Sequence, residues 1–303
     1  MKTAINLLTI KYLNENSLKN IEIHLKREDL THKYISGNKF RKLKYNFEYA
    51  KTEGHSDIIT FGGAYSNHIS AVAYAGKLNQ IKTFGIIRGE ELQNATTLNS
   101  TLRFAEECGM TLIFVSRETY KEKETSKKAL ELLNLLEKPY IIPEGGTNHL
   151  AIKGCEEILD QTTKQFDYIC TSVGTGGTIS GLINASEPTQ EIIGFSALKG
   201  DFLSKDISKF ATKTNWKLNT DYHFGGYGKV NLELIQFIND FKKEHHIPLD
   251  PIYTGKMMFG IIDLIKKGYF KENAKILAIH TGGLQGIEGM NERLNLKKLP
   301  LIQ

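Results

Sequence analysis

The sequence predicts an α/β protein built on mainly parallel β-sheet, and three observations predict it. Short apolar runs alternate with helical patterns from residue 57 onward, several of those runs end in paired glycines, and a chain of 303 residues that is 40% apolar can bury a sizeable core. The candidate strands, in order, are DIITFGG (57–63), IKTFGIIRG (81–89), TLIFVS (111–116), YIIPEGG (140–146), FDYICTSVG (166–174), EIIGFSA (191–197) and KILAIHTGG (275–283). A glycine directly after a buried strand permits a tight turn and close approach of backbone to a ligand. Taken singly, such a glycine merely ends a strand; repeated at FGGAYSN, VGTGGT and HTGG, it points to one sheet edge where ligands bind.

The bulk properties exclude several classes. The net charge of +5 comes from 39 basic and 34 acidic residues that are interspersed, which favours solubility and a mild attraction for anions over nucleic-acid binding. Cys108, Cys155 and Cys170 are odd in number and far apart, so neither a disulfide framework nor a metal site is expected. The N-terminal MKTAINLLTIKYLNEN has a short apolar run without a small-residue cleavage site, and no stretch is long and apolar enough to span a membrane. The expectation is a soluble cytoplasmic protein. No linker, repeat or low-complexity tract marks a domain boundary, so LNLLEKP (133–139) and the helix around 41–53 are the candidate crossings between sub-domains.

In SGNKFRKLKYNFEYAKTEGH, Phe40, Leu43, Phe47 and Ala50 recur at spacings of three and four, the buried face of a helix. Lys39 and Lys42 lie three apart on another face and can address one site, whereas Lys44 points elsewhere. The bland alternative is a solvated basic face. Placement favours chemistry: Lys39 follows the turn-and-cap sequence Ser36-Gly37-Asn38, so the positive end of the helix dipole and the neighbouring Arg41 and Lys42 disfavour an ammonium there. A neutral, nucleophilic lysine is the consequence.

TSVGTGGTISGL (171–182) follows an apolar strand and precedes a helical pattern, so its backbone N–H groups and the helix N-terminus form an anion cradle. Thr175 and Thr178 add hydroxyls. The loop lacks the GK[ST] ending of a nucleotide-triphosphate loop and the spacing of a dinucleotide site, so a small phosphate is expected. Together with the lysine it suggests a phosphorylated aldehyde cofactor.

These blocks carry a resemblance. KREDLTHKYISGNKFRKLKY (26–45), ITFGGAYSNHISAVAYAGK (59–77), VGTGGT, FGGYG (224–228), DPIYTGKMMFG (250–260) and HTGG (280–283) resemble, in order and spacing, the family of D-cysteine desulfhydrase and 1-aminocyclopropane-1-carboxylate (ACC) deaminase, over nearly the whole chain. The resemblance implies a fold type II pyridoxal-phosphate (PLP) enzyme, related to the tryptophan synthase β chain. Its two open, twisted, mostly parallel sheets would be flanked by helices. A large PLP-binding domain would be built from residues 1–48 and 147–303, with a small α/β domain inserted at 49–146, and the protein would be a homodimer. Lys39 carries over as the lysine that bears the cofactor's aldehyde, with Lys42 assisting. Gly174, Thr175, Gly176, Gly177 and Thr178 would hold the phosphate, and Asn67 the phenolic oxygen. Ser66, Asn67 and His68 would hold the substrate carboxylate at a helix N-terminus, and Tyr227 and Tyr253 would be active-site tyrosines. Two departures bear on the substrate: SGNK stands for GGNK, and Ser70 stands where related sequences often carry Arg.

Two further positions bear on the reaction. ACC deaminases carry Glu and Leu where this chain has Thr254 and Thr281, the pair associated with D-cysteine desulfhydrase. A carboxylate would keep the pyridine nitrogen protonated, whereas a threonine hydroxyl can donate to a neutral one. Elimination of a β-thiol, giving pyruvate, sulfide and ammonia, is therefore expected, with lyase and hydrolase as the candidate classes. Freed Lys39 is the first candidate for the α-proton base, with Ser66 or Tyr227 as alternatives. The competing readings are an ACC deaminase, a PLP lyase acting on another amino acid such as serine, a PLP-holding protein without turnover, and a bare nucleotide-binding α/β protein. The set Lys39, Ser66, Asn67, Tyr227 and Tyr253 speaks against a PLP-holding protein without turnover, and visible absorbance would decide the bare nucleotide-binding reading.

Overall fold

A computed structural model describes residues 3–8 and 20–303. The chain divides into two compact units, one comprising the residues up to Thr31, Ser36–Asn38 and Cys155–Gln303, the other His32–Ile35 and Lys39–Gly154. Besides the short exchange at 32–35, the changeovers fall at 38/39 and 154/155, where the sequence reading had 48/49 and 146/147. The helix Asn38–Thr52 explains the first shift, since Leu43, Phe47 and Ala50 bury in the core of the second unit. Close packing explains the other: a Cβ on Gly154 would lie 2.0 Å from the carbonyl oxygen of Arg41, so Gly154 stays with that helix.

Ten strands occur among the described residues: β1 Ile5–Leu8, β2 Glu22–Lys26, β3 Asp57–Gly63, β4 Lys82–Arg88, β5 Met110–Val115, β6 Pro139–Ile142, β7 Tyr168–Val173, β8 Glu191–Ser196, β9 Trp216–Asn219 and β10 Lys275–Ile279. The first unit holds a six-stranded sheet in the order β1-β2-β10-β7-β8-β9, antiparallel only between β1 and β2. The second holds a four-stranded parallel sheet, β5-β4-β3-β6. Two mostly parallel sheets flanked by helices are the expected α/β class.

Parallel strands covered on both faces read as continuous apolar runs. In β10, Ile276 and Ala278 pack with the helices Leu232–His245 and Thr254–Lys266, while Leu277 and Ile279 pack with Gly177–Ala185 and Leu203–Ser208. In β3, Ile58 faces the helices Asn38–Thr52 and Asn67–Asn79, whereas Ile59 and Phe61 face Lys127–Leu135. Each such side chain, fully buried, contributes about 1.5–3 kcal/mol.

All seven expected strands are present, but YIIPEGG ends as strand at Ile142, because Pro143 and a tight turn over Glu144–Gly146 follow. Three strands went unpredicted. Among them β2 hides its character behind Glu22, His24 and Lys26; the last is buried because its ammonium lies 3.7 Å from Asp160. The N-terminal reading falls largely outside the described residues. The three cysteines are buried; among the described residues they form no disulfide, and no helix is long and apolar enough to cross a membrane.

Candidate active site

In the second unit, the lysine helix behaves as its spacing predicted. Lys39 Nζ donates to the Gly145 carbonyl at 3.3 Å, and Lys42 Nζ donates to the same oxygen at 2.9 Å and to Thr147 Oγ1 at 3.2 Å. Lys44 points away and is exposed. The face is not a solvated one, since Arg41 and Lys42 are each only 2% exposed. Gly145 and Gly146 make this convergence possible: both are left-handed, at φ 67° and 70°, a conformation glycine adopts without steric cost and which turns the Gly145 carbonyl toward the two amines.

His68 lies on the same turn, and a Cβ on Gly146 would sit 3.1 Å from its Cε1. Thr60 Oγ1 donates its one proton to the Ile142 carbonyl at 2.7 Å, so the 2.8 Å contact between Thr60 Oγ1 and His68 Nε2 requires the proton on Nε2. Burial, and then the charges of Lys39 and Lys42, hold the imidazole well below its ordinary pKa, so it is neutral. Its ring is buried, only 2% exposed. Ser66 caps the helix Asn67–Asn79, its Oγ accepting from the Ile69 amide at 3.3 Å. Asn67 opens the first turn, where the helix dipole favours an anion. Gly62 lets this cap approach, because a Cβ there would lie 2.8 Å from Ser66 Oγ and 2.4 Å from Ile69.

In the first unit, Gly37 and Asn38 meet the end of β10. Gly37, at φ +66°, could carry no side chain, since its Cβ would lie 1.9 Å from the Thr281 oxygen; the Asn38 amide donates to that oxygen at 3.2 Å. The KRED stretch is the brace: Thr31 Oγ1 accepts from the Gly37 amide at 3.1 Å, and Ser36 donates to the Asp29 carbonyl at 3.1 Å. Asn38 Nδ2 also donates to Thr178 Oγ1 at 2.8 Å, leaving the threonine's own proton to donate onward.

The Gly174–Thr178 turn ends β7. Gly176, at φ +83°, precedes the helix Gly177–Ala185 and offers no capping side chain. Gly177 and Thr178 then open the first helical turn, with Thr175 beside them. A Cβ on Gly174 would lie 3.1 Å from the Tyr253 ring, so that tyrosine rests on the turn. A backbone cradle at a helix N-terminus, with a threonine hydroxyl and no lysine, fits the phosphate of a PLP-sized cofactor. Tyr253 meets Tyr227 edge to face at 6.1 Å between ring centroids, and Tyr227 is exposed.

Thr281 lies 3.1 Å from Ser172 Oγ, a hydroxyl pair at the ends of neighbouring strands. Thr254 opens the helix Thr254–Lys266, where its hydroxyl donates to Asp250 Oδ2 at 2.7 Å and accepts from the Asp250 amide at 2.9 Å. Asp250 also accepts from the amides of Ile252, Tyr253 and Thr254, while burial pushes its carboxyl up. Ser172, Gly145, Asp250 and Lys256 were not singled out from sequence, although each stands inside a quoted segment.

Comparison with known proteins concerns the chain as a whole. Residues 5–282 match the family model described as pyridoxal-phosphate dependent enzyme. A protein of Pyrococcus horikoshii, provisionally named 1-aminocyclopropane-1-carboxylate deaminase, is 32% identical over 291 residues, covering 90% of this chain and 88% of its own. The Arabidopsis thaliana mitochondrial bifunctional D-cysteine desulfhydrase/1-aminocyclopropane-1-carboxylate deaminase is 30% identical over 293 residues, covering 88% of this chain and 73% of its own. The crystal structure of an ACC deaminase homologue superposes with a TM-score of 0.84 at 28% identity, covering 98% of this chain and 94% of that one. Lyase and deaminase names fit the expectation; the hydrolase class drops out.

Proposed function

The chain belongs to the pyridoxal-phosphate dependent enzymes, and from that premise we propose that it catalyses α,β-elimination on a small amino acid, D-cysteine and water giving pyruvate, ammonia and hydrogen sulfide. When bound, PLP supplies an electron sink for the bonds to the substrate's α-carbon. Lys39 is the residue that holds its aldehyde, and Lys42 keeps the Gly145 carbonyl occupied beside it. The Gly174–Thr178 turn holds the phosphate, with Thr178 kept in place by Asn38. Asn67 bonds the phenolic oxygen. The first turn of its helix, capped by Ser66, receives the substrate carboxylate through the backbone of Asn67 and His68. Lys39 Nζ would take the substrate's α-proton, with Ser66 Oγ and the Tyr227 hydroxyl as alternatives. Tyr253 packs Tyr227 over the phosphate turn.

The observation that carries the choice of reaction is the Ser172–Thr281 hydroxyl pair. Ser172 can donate to Thr281 and Thr281 onward to a neutral ring nitrogen, which suits departure of a good leaving group such as a β-thiol. The names of the relatives favour a second reading, conversion of ACC to 2-oxobutanoate and ammonia. A PLP lyase on serine is the remaining variant. The test is product analysis on PLP-loaded protein offered D-cysteine, L-cysteine, D-serine and ACC, with a Lys39→Ala control. Pyruvate and sulfide from D-cysteine, lost in the control, are expected; dominant 2-oxobutanoate from ACC overturns the choice. A homodimer in the cytoplasm is part of the same proposal, and three buried cysteines outside any disulfide suit a reducing compartment.

A further inference from the structure

We propose that Lys256 is the positioning residue for Tyr227: it clamps the His223–Gly228 turn by two backbone carbonyls and so sets the Tyr227 ring against Tyr253, which rests on the reading of Tyr227 as an active-site tyrosine. Lys256 is 1% exposed, and its Nζ donates to the carbonyls of His223 at 2.8 Å and Gly226 at 2.9 Å. The turn needs such a hold. Phe224, Gly225, Gly226 and Gly228 are left-handed, at φ 52°, 90°, 113° and 64°, and Phe224 pays a steric penalty there. Local bonds close the turn on itself: Gly226 N to His223 O at 3.0 Å, Lys229 N to Gly226 O at 3.1 Å and Gly225 N to His223 Nδ1 at 2.9 Å. Lys256 takes the second lone pair of both of those carbonyls, and Arg293 takes Gly228 O at 3.3 Å.

Lys256 and Tyr253 stand three residues apart at the start of one helix. That helix start therefore supplies both the clamp on the turn and the ring that Tyr227 meets, while Tyr253 also rests on Gly174. A buried ammonium is costly, and among the described residues no carboxylate lies within ion-pair distance of it. Burial pulls it down to about 8, against the field of Asp250. The other charged groups facing the turn are Lys199 beside Gly226, Lys229 beside Gly225, Arg293 and His223 itself. Above that pH the two bonds change from charge-assisted to neutral and weaken by about half.

The experiment is a double-mutant cycle on the PLP-loaded enzyme, with hydrogen exchange as a readout independent of substrate. Lys256→Met should lower kcat by about 10–100-fold with little change in KM, but by no more than about 2-fold in a Tyr227→Phe background, because it acts through that ring. Amides of 224–229 should lose protection while those of 257–265 keep theirs. Additive losses, or unchanged protection of the turn, overturn the proposal. Where Lys256→Met does not fold, wild-type exchange followed from pH 7 to pH 9.5 decides: protection lost only in the turn supports the clamp, and constant protection overturns it. Should D-cysteine not be turned over at all, a turn that loosens still supports the clamp, while the substrate reading alone fails.

Discussion

Each unit buries a lysine against a glycine turn, and the two lysines differ in whom they share it with. Lys42, in the smaller unit, bonds the Gly145 carbonyl, which also accepts from Lys39. Lys256, in the larger, has the carbonyls of His223 and Gly226 with no second amine on them among the described residues. Two amines on one carbonyl repel whenever both are charged, so a change at Lys42 is felt electrostatically at Lys39. An amine with its own pair of acceptors acts mechanically, by fixing a backbone. The same motif, a lysine on a left-handed glycine turn, thus serves charge in one unit and position in the other.

The sharpest way to test that contrast is to remove the amine that the pair surrounds. Lys39→Ala should lower turnover by at least about 1,000-fold, since the nucleophile itself is lost. Because Lys39 is only half-buried, the urea midpoint should stay within about 0.5 kcal/mol of wild type. Keto-acid release and a urea titration on the same preparation give both values. Next in size, Lys42→Met should lower turnover by about 10–100-fold and stability by about 1–3 kcal/mol, because Thr147 loses a donor and Gly145 keeps only the longer bond. Full activity in Lys42→Met would break the comparison, making Lys42 as purely structural as an apolar core residue.

Thr254 and Thr281 divide along the same line between holding backbone and facing chemistry. Thr254→Val should cost about 1–2 kcal/mol through loss of the bond to buried Asp250, with the ratio of pyruvate from D-cysteine to 2-oxobutanoate from ACC unchanged. Thr281→Val should move that ratio while costing less stability, since Ser172 can turn to another acceptor. Side-by-side product analysis and chemical denaturation of the two variants check this.

The division also shows what was legible in the sequence. The buried strands could be read because strands covered on both faces need continuous apolar runs, and the lysine pair because a helix fixes which residues share a face. Gly37 and Gly176 could be read as turn residues because the left-handed backbone favours glycine. What could not be read depends on partners remote in the chain. The Gly145 carbonyl is a backbone atom with no residue signature, and it meets Lys39 across 106 positions. Lys256 bonds carbonyls 30 and 33 residues away. The bond from Thr254 to Asp250, four residues back, is local, yet no residue pattern in that stretch announces it. β2 was missed because its buried lysine is neutralised by Asp160, far along the chain.

A further effect separates the mechanical lysine from the bulk of the fold by pH. Lys256 in the folded protein is held at about 8, below its ordinary 10.5. Below that value it is protonated in both folded and unfolded chains, and above 10.5 in neither, so it adds no slope outside the window. Within it the unfolded chain binds a proton that the folded chain lacks, so the contribution of Lys256 to global stability rises with pH. The difference in unfolding free energy between wild type and Lys256→Met, measured by urea titration, should therefore grow in favour of wild type between pH 8 and pH 10.5, by on the order of 2 kcal/mol. Over the same range the clamp on the His223–Gly228 turn weakens, because a neutral amine makes poorer bonds to its two carbonyls. Local and global stability then move in opposite directions from one deprotonation. A uniformly stabilised or uniformly loosened protein has no such signature, and Lys42→Met, which touches a different turn, should leave it intact.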